Sequence, residues 1–137
     1  MELKIFLLAD YASIGNDKLN ILGVVDRITA DKFPLELPSL YLAIKFSTEQ
    51  TSQDVSHEIT ILFLDDNDEE ISKGGGEFTI PKTDSGQTTN VVVNFTVGVR
   101  NLVFGRPSSY ECRLLVDDQV TGSIPFEVVQ LEKTPQE

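Results

Sequence analysis

Apolar residues recur at every second position along most of this chain, and that period constrains the fold more than any other feature. Leu3, Ile5, Leu7 and Ala9 share one side of a first run, and Leu40, Leu42, Ile44 and Phe46 one side of another. Ile59, Ile61 and Phe63 form a third run, and Val91, Val93, Phe95 and Val97 a fourth. Successive side chains of a strand point to opposite faces, so this spacing gathers each set on one surface of a sheet. No apolar stripe at helical spacing lasts beyond two turns. In the first run Phe6 and Leu8 add a second apolar side.

Polar, turn-forming segments separate the runs. "SIGND" precedes "KLNILGVVDRI", in which Leu19, Ile21 and Val25 share a face, and "FPLELPS", with two prolines, reads as a connector. "STEQTSQD" and "PKTDSGQTTN" bracket the middle runs, and Asp117, Asp118 and Gln119 join the last two. The pattern predicts an all-β fold, an antiparallel β-sandwich of seven to eight strands over residues 1–131. Residues 132–137, "EKTPQE", read as a flexible C-terminal tail.

Charge narrows the choice of partner. Twenty-two acidic residues against 11 Lys and Arg give a net charge of -11. Such a surface repels phosphate backbones and anionic bilayers, so neither nucleic acid nor membrane is expected as a partner. Cations and basic surfaces are the favoured company. The single Cys112 leaves no intramolecular disulfide, and "MELKIFLLADYA" carries Glu2 and a short apolar run ending at Asp10. A secretory core needs about 7–15 apolar residues, so a cytoplasmic location is expected.

The densest cluster of chemistry-bearing side chains is "LDDNDEEI", with Asp65, Asp66, Asp68, Glu69 and Glu70. Clustered carboxylates can supply oxygen ligands to Ca²⁺, and Asp65, Asp66, Asp68 and Glu70 are the candidate ligands. A twelve-residue calcium loop starting at Asp66 would put Ile71 where the sharp turn demands glycine, so an EF-hand is excluded. The alternative is a hairpin turn, in which Asp and Asn bond to local backbone. Gly74, Gly75 and Gly76 follow, without the Lys-Ser/Thr and helix of a phosphate loop. Glycines inside a strand pattern mark a bulge, a close backbone approach, or an edge open to pairing with another chain.

Catalytic residues are scarce. His57 is the single histidine, and its neighbour Ser56 points to the opposite face of the same strand. Cys112 alternates toward the interior, and carboxylate pairs are too numerous among 22 acids to single out a glycosidase. In "VRNLVFGRP", Arg100, Phe104 and Arg106 combine an aromatic with two arginines, which if exposed is the composition of interface hot spots; the alternative is that the segment turns its apolar residues into the core.

Two resemblances are carried by particular residues. Tyr110 stands two positions before Cys112, after "NLVF" and "RPSS" and before a tight hairpin. This resembles the tyrosine corner and last hairpin of immunoglobulin-like and fibronectin-type sandwiches. It implies an immunoglobulin-like fold with Tyr110, Cys112, Leu114 and Val116 facing inward and Glu111, Arg113 and Asp117 outward. Cys112 would occupy a disulfide position whose partner is missing. "FLLADYASIGNDKLNILGVVDRI" and "YECRLLVDDQVTGSIPFEVVQL" are similar to the opening and close of a family of small uncharacterised bacterial proteins. That resemblance implies a stand-alone bacterial β-sandwich and supplies no activity.

The expected function is therefore a non-catalytic protein-binding or assembly module, acting through an edge strand or a loop end on a protein partner or a second copy of the chain. A Ca²⁺-binding β-sandwich module using acidic loops is the alternative, and a small hydrolase the third reading.

Overall fold

The computed structural model describes residues 1–84 and 86–131; the expected tail at 132–137 lies outside the described residues. Nine strands follow one another: β1 (Glu2–Gly15), β2 (Lys18–Val24), β3 (Arg27–Ala30), β4 (Leu35–Gln50), β5 (Val55–Leu64), β6 (Glu70–Ile80), β7 (Thr89–Phe104), β8 (Ser108–Val116) and β9 (Gln119–Gln130). They form a four-stranded sheet in the order β2-β1-β4-β7 and a five-stranded sheet in the order β3-β9-β8-β5-β6. The sheets face each other over one core in a partial, half-barrel arrangement like that of a sandwich.

Alternation builds that core as expected. Leu40, Leu42, Ile44 and Phe46 of β4 lie opposite Ile59, Ile61 and Phe63 of β5, all buried. On β8, Tyr110, Cys112, Leu114 and Val116 are buried, while Glu111 and Arg113 pair with each other at 2.5 Å on the other face. Two of the hairpins close through two-residue turns in which both residues have positive φ, Asn16–Asp17 and Asp117–Asp118. Asn and Asp tolerate that left-handed conformation, which matches the twist of the flanking strands.

Three features depart from the sequence expectation. There are nine strands rather than seven or eight, and one pairing, β3 with β9, is parallel, so the fold is not wholly antiparallel. "KLNILGVVDRI" is two strands in different sheets. The break follows Gly23, whose φ is 69° and where a Cβ would stand 2.4 Å from an oxygen of Asp10. Four residues of β3 are too few for a period of two to register. "FPLELPS" is also largely strand, since β4 starts at Leu35. β1 pairs with β4 from Tyr41 to Ser47, so Pro38 lies where β4 has a neighbour on one side alone. The residue facing the gap at Pro38 is Asn101, at φ 56°; a proline lacks the N–H for a ladder bond, and the ladder is interrupted at that one pair without a change of register.

Aromatic rings fill both ends of the core. Phe104, Tyr110 and Phe126 cluster at one end, with Phe104 and Tyr110 edge-to-face at 4.8 Å. Phe46, Phe78 and Phe95 cluster at the other, with Phe78 and Phe95 at 4.7 Å. The Tyr110 hydroxyl donates to the carbonyl of Arg106 at 2.6 Å, fastening the turn before β8. A register shift between Leu3 and Ile5 turns Phe6 and Leu8, with Leu3, toward the core, so the side of Ile5, Leu7 and Ala9 expected to act together with Leu3 faces away from it; there Tyr11 packs edge-on against Tyr41 at 5.0 Å beside exposed Leu22 and Val24.

Tyr110→Phe keeps the ring and removes the hydroxyl, and is expected to destabilise the protein by about 1 kcal/mol in urea titration with an unchanged m-value. Burial, and secondarily the charge of Glu111, push the Cys112 thiol up to about 12. At neutral pH it is a neutral, inaccessible thiol. A thiol reagent such as DTNB is expected to leave the native protein unlabelled and to react at the rate at which the chain unfolds.

Candidate functional site

β6 closes the five-stranded sheet and pairs on one side, with β5. Its other side presents a row of backbone N–H and C=O groups to no strand. Register fixes what each face carries. Gly76 lies opposite Ile59, Gly74 opposite Ile61 and Ser72 opposite Phe63, so these small residues face inward. Gly75, Lys73 and Glu77 lie opposite Thr60, Leu62 and Glu58 and face outward.

The three glycines are not equivalent. A Cβ on Gly75 would fall 2.2 Å from the carbonyl oxygen of Ile59, so close approach of β5 demands glycine there. Gly74 and Gly76 have nothing within 4 Å of such an atom. Gly75 and Gly76 border an apolar slot of about 200 Å³ between the sheets. Its walls are Ile59, Ile61, Phe78, Phe95 and Val97. The Phe78–Phe95 contact bridges the two edge strands at one end of the slot, and beyond it the glycines leave the gap open.

The acidic cluster is the β5–β6 turn. Asp65 receives the N–H groups of Asn67 and Glu69 on Oδ1, each at 2.9 Å, and its own N–H donates to the Glu69 carbonyl at 2.9 Å. Asp68 takes the left-handed conformation at φ 58°. The Asp66 carboxylate is paired with the Arg106 guanidinium from the β7–β8 loop. Hydrogen bonds from Arg106 hold the Asp66 carboxyl below its ordinary value and raise the guanidinium in turn. Glu70 begins β6 opposite Leu64 and is exposed. Among the described residues, no group of three or more His, Cys, Asp or Glu side chains is placed to hold a metal ion. Asp117 and Asp118 do not join the cluster. They sit by Glu58, at the far end of β5 from Leu64, roughly 20 Å away at the rise of a strand.

Arg100, Phe104 and Arg106 are dispersed. Leu102 and Phe104 alternate into the core, where Phe104 is wholly buried against Tyr110 and Phe126. An exposed aromatic anchor at Phe104 is thereby corrected. Arg100 lies on β7 opposite Ser39 and Arg106 is bound to Asp66, so no shared surface unites the three.

His57 has a partner that sequence reasoning missed. Its Nδ1 lies 2.7 Å from Asp117 Oδ2, and Asp117 Oδ1 accepts the Glu58 N–H at 2.9 Å. The ring rests on Phe78 at 5.3 Å. Asp117 is 60 residues away and is delivered by the pairing of Ile59 with Val116, which no local motif announces. A carboxylate on Nδ1 orients an imidazole as in hydrolytic triads. Among the described residues, no hydroxyl or thiol is hydrogen-bonded to the ring. The pair ties the start of β5 to the β8–β9 turn.

Residues 4–129 match a family described as "Family of unknown function (DUF6941)". The chain belongs to that family. The matched region runs from β1 into β9, so the DUF6941 domain includes the β6 edge, the acidic turn and the His57–Asp117 pair. No curated protein matches the sequence. No helix among the described residues of this DUF6941 chain is long and apolar enough to cross a membrane.

The Glu58 N–H and then His57 hold the Asp117 carboxyl below its ordinary value of 3.8. A folded-state value below the unfolded one adds stability at higher pH, and that stability is lost as pH falls from the ordinary carboxylate range through the folded value. Asp117→Asn is therefore expected to lower the urea midpoint at about pH 6, and to differ less and less from the parent as pH drops below about 4.

Proposed function

We propose that this DUF6941 chain is a non-catalytic protein-binding or assembly module that works through the free edge of β6. The observation that carries the reading is the bare backbone of Gly74–Gly76 beside an apolar slot. Glycine within a strand is destabilising by about 0.5–1 kcal/mol relative to alanine. Gly75 is accounted for by the carbonyl of Ile59, whereas nothing inside the chain crowds Gly74 or Gly76. A second backbone laid along the edge accounts for both: main-chain hydrogen bonds supply the attraction, and side chains entering the slot supply selectivity.

The immunoglobulin-like reading of the architecture is supported by the Tyr110 hydroxyl on the Arg106 carbonyl, the bond of a tyrosine corner. Ca²⁺ binding draws less support, because Asp65 is engaged by backbone N–H groups and Asp66 by Arg106. A hydrolytic role for His57 lacks a nucleophile bonded to its ring.

Gly76→Lys puts a long side chain at the mouth of the slot, where nothing lies within 4 Å of its Cβ and the ammonium can extend to water, and the fold is expected to tolerate it with little change in Tm. Affinity capture from a cell extract, run in parallel with the parent and Gly76→Lys as bait, tests the reading. Proteins retained by the parent and lost with the variant, equally with and without EDTA, support it. Identical capture by both baits overturns it.

A further inference from the structure

We propose that the occupant of the β6 edge is a second copy of this chain, paired antiparallel about a two-fold axis through Gly75. The inference rests on the edge-binding reading and names its partner.

The charges of β6 are arranged for this pairing. Lys73 and Glu77 flank Gly75 at equal distance, share the outward face and are exposed. In an antiparallel pair centred on Gly75, residues whose numbers sum to 150 stand opposite each other. Lys73 then meets Glu77 of the second copy, and Glu77 meets its Lys73, so one register makes two opposite-charge pairs. The same register sets Gly74 opposite Gly76 twice, where no side chain hinders approach. Residues of like parity meet, so the outward-directed backbone groups of one β6 find those of the other.

Within a single copy these charges are poorly placed. Glu77 stands directly across from Glu58 on β5, and Lys73 across from Leu62. Like charges directly opposite in a sheet are destabilising. Neither Glu77 nor Lys73 has an ion-pair partner among the described residues. Docking a second β6 sets a lysine on the open side of Glu77 and relieves its repulsion with Glu58. A net charge of -11 opposes self-association in general, which makes local complementarity the condition for two copies to meet here. On the inner side, Gly74 and Gly76 of the second copy bring no side chain against Phe95 and Val97 at the mouth of the slot. The product is two five-stranded sheets joined edge to edge into one of ten strands, with both β6 edges covered and β3 at either end.

Sedimentation velocity of the full chain, from about 1 µM to about 500 µM, reads the association, with Lys73→Glu, Glu77→Lys and the double exchange as variants. Each single reversal turns two opposite-charge pairs into two like-charge pairs and is expected to weaken the dimer about tenfold. The double exchange restores both pairs, and its Kd is expected to return to within about threefold of the parent's. The exposed positions leave the fold intact, which thermal unfolding of each variant checks. A parent that stays monomeric, a dimer indifferent to the single reversals, or a double exchange that fails to restore it overturns the proposal. A monomeric parent whose captured proteins are lost with Gly76→Lys would refute the second copy and leave the edge-binding reading standing. Failure of both experiments would refute that reading as well.

Discussion

The packing of β4 against β5 across the space between the sheets is the interaction on which the rest of the structure depends. Leu42, Ile44 and Phe46 on one side and Ile59, Ile61 and Phe63 on the other are almost wholly withdrawn from water. Each such side chain contributes about 1.5–3 kcal/mol on burial, and the two strands present them in rows because a strand can do nothing else with a period of two. Once these rows face each other, β1 and β7 are carried into place beside β4, and β8 and β6 beside β5. The chain is then left with β6 at the end of one sheet and β7 at the end of the other, joined at Phe78 and Phe95 and open where the glycines lie.

Polar contacts set local geometry around this core and add little to its driving force. Asp65 folds the β5–β6 turn by taking two backbone N–H groups, and Asp66 reaches across to Arg106, whose carbonyl in turn holds the Tyr110 hydroxyl. The turn and the tyrosine corner thus share Arg106 and are fixed together. At the opposite end of β5, Asp117 clasps Glu58 and His57, and the imidazole lies on the Phe78 ring that bridges the two edges. Exposed pairs of this kind are individually weak. Their consequence is positional: both ends of β5 are pinned, and the register that puts Gly74–Gly76 at the slot is held from either side.

Much of the fold was legible in the residues, and the misses have definite causes. Alternation in β4, β5, β7 and β8 identified the inward faces, down to Tyr110, Cys112, Leu114 and Val116, whereas in β1 a register shift after Leu3 turned Phe6 and Leu8 inward in place of Ile5 and Leu7. β3 escaped because four residues are too short a sample of a period, and because the chain changes sheets between Val24 and Arg27 without a strong turn signal. Pro38 misled because prolines disfavour paired strands, whereas here β4 extends past the end of β1 and is free on that side. In the candidate site, the glycines were recognised as marking an edge or a close approach, and both meanings apply, the approach to Gly75 and the open edge to its neighbours. The partnership of His57 with Asp117 and that of Arg106 with Asp66 carried no local signal, since each joins elements about 40–60 residues apart.

What the sequence by itself determined is the set of faces over most of the strands, and where Asn16–Asp17 and Asp117–Asp118 turn the chain. These are local properties, written in spacing and in the backbone preferences of individual residues. Tertiary structure alone decided which strand became an edge, which acid met which base, and that Glu77 would stand across from Glu58 with its other side open. Strand order and register arise from the joint packing of all nine strands, and a period of two is the same whether a strand lies at the centre of a sheet or at its rim.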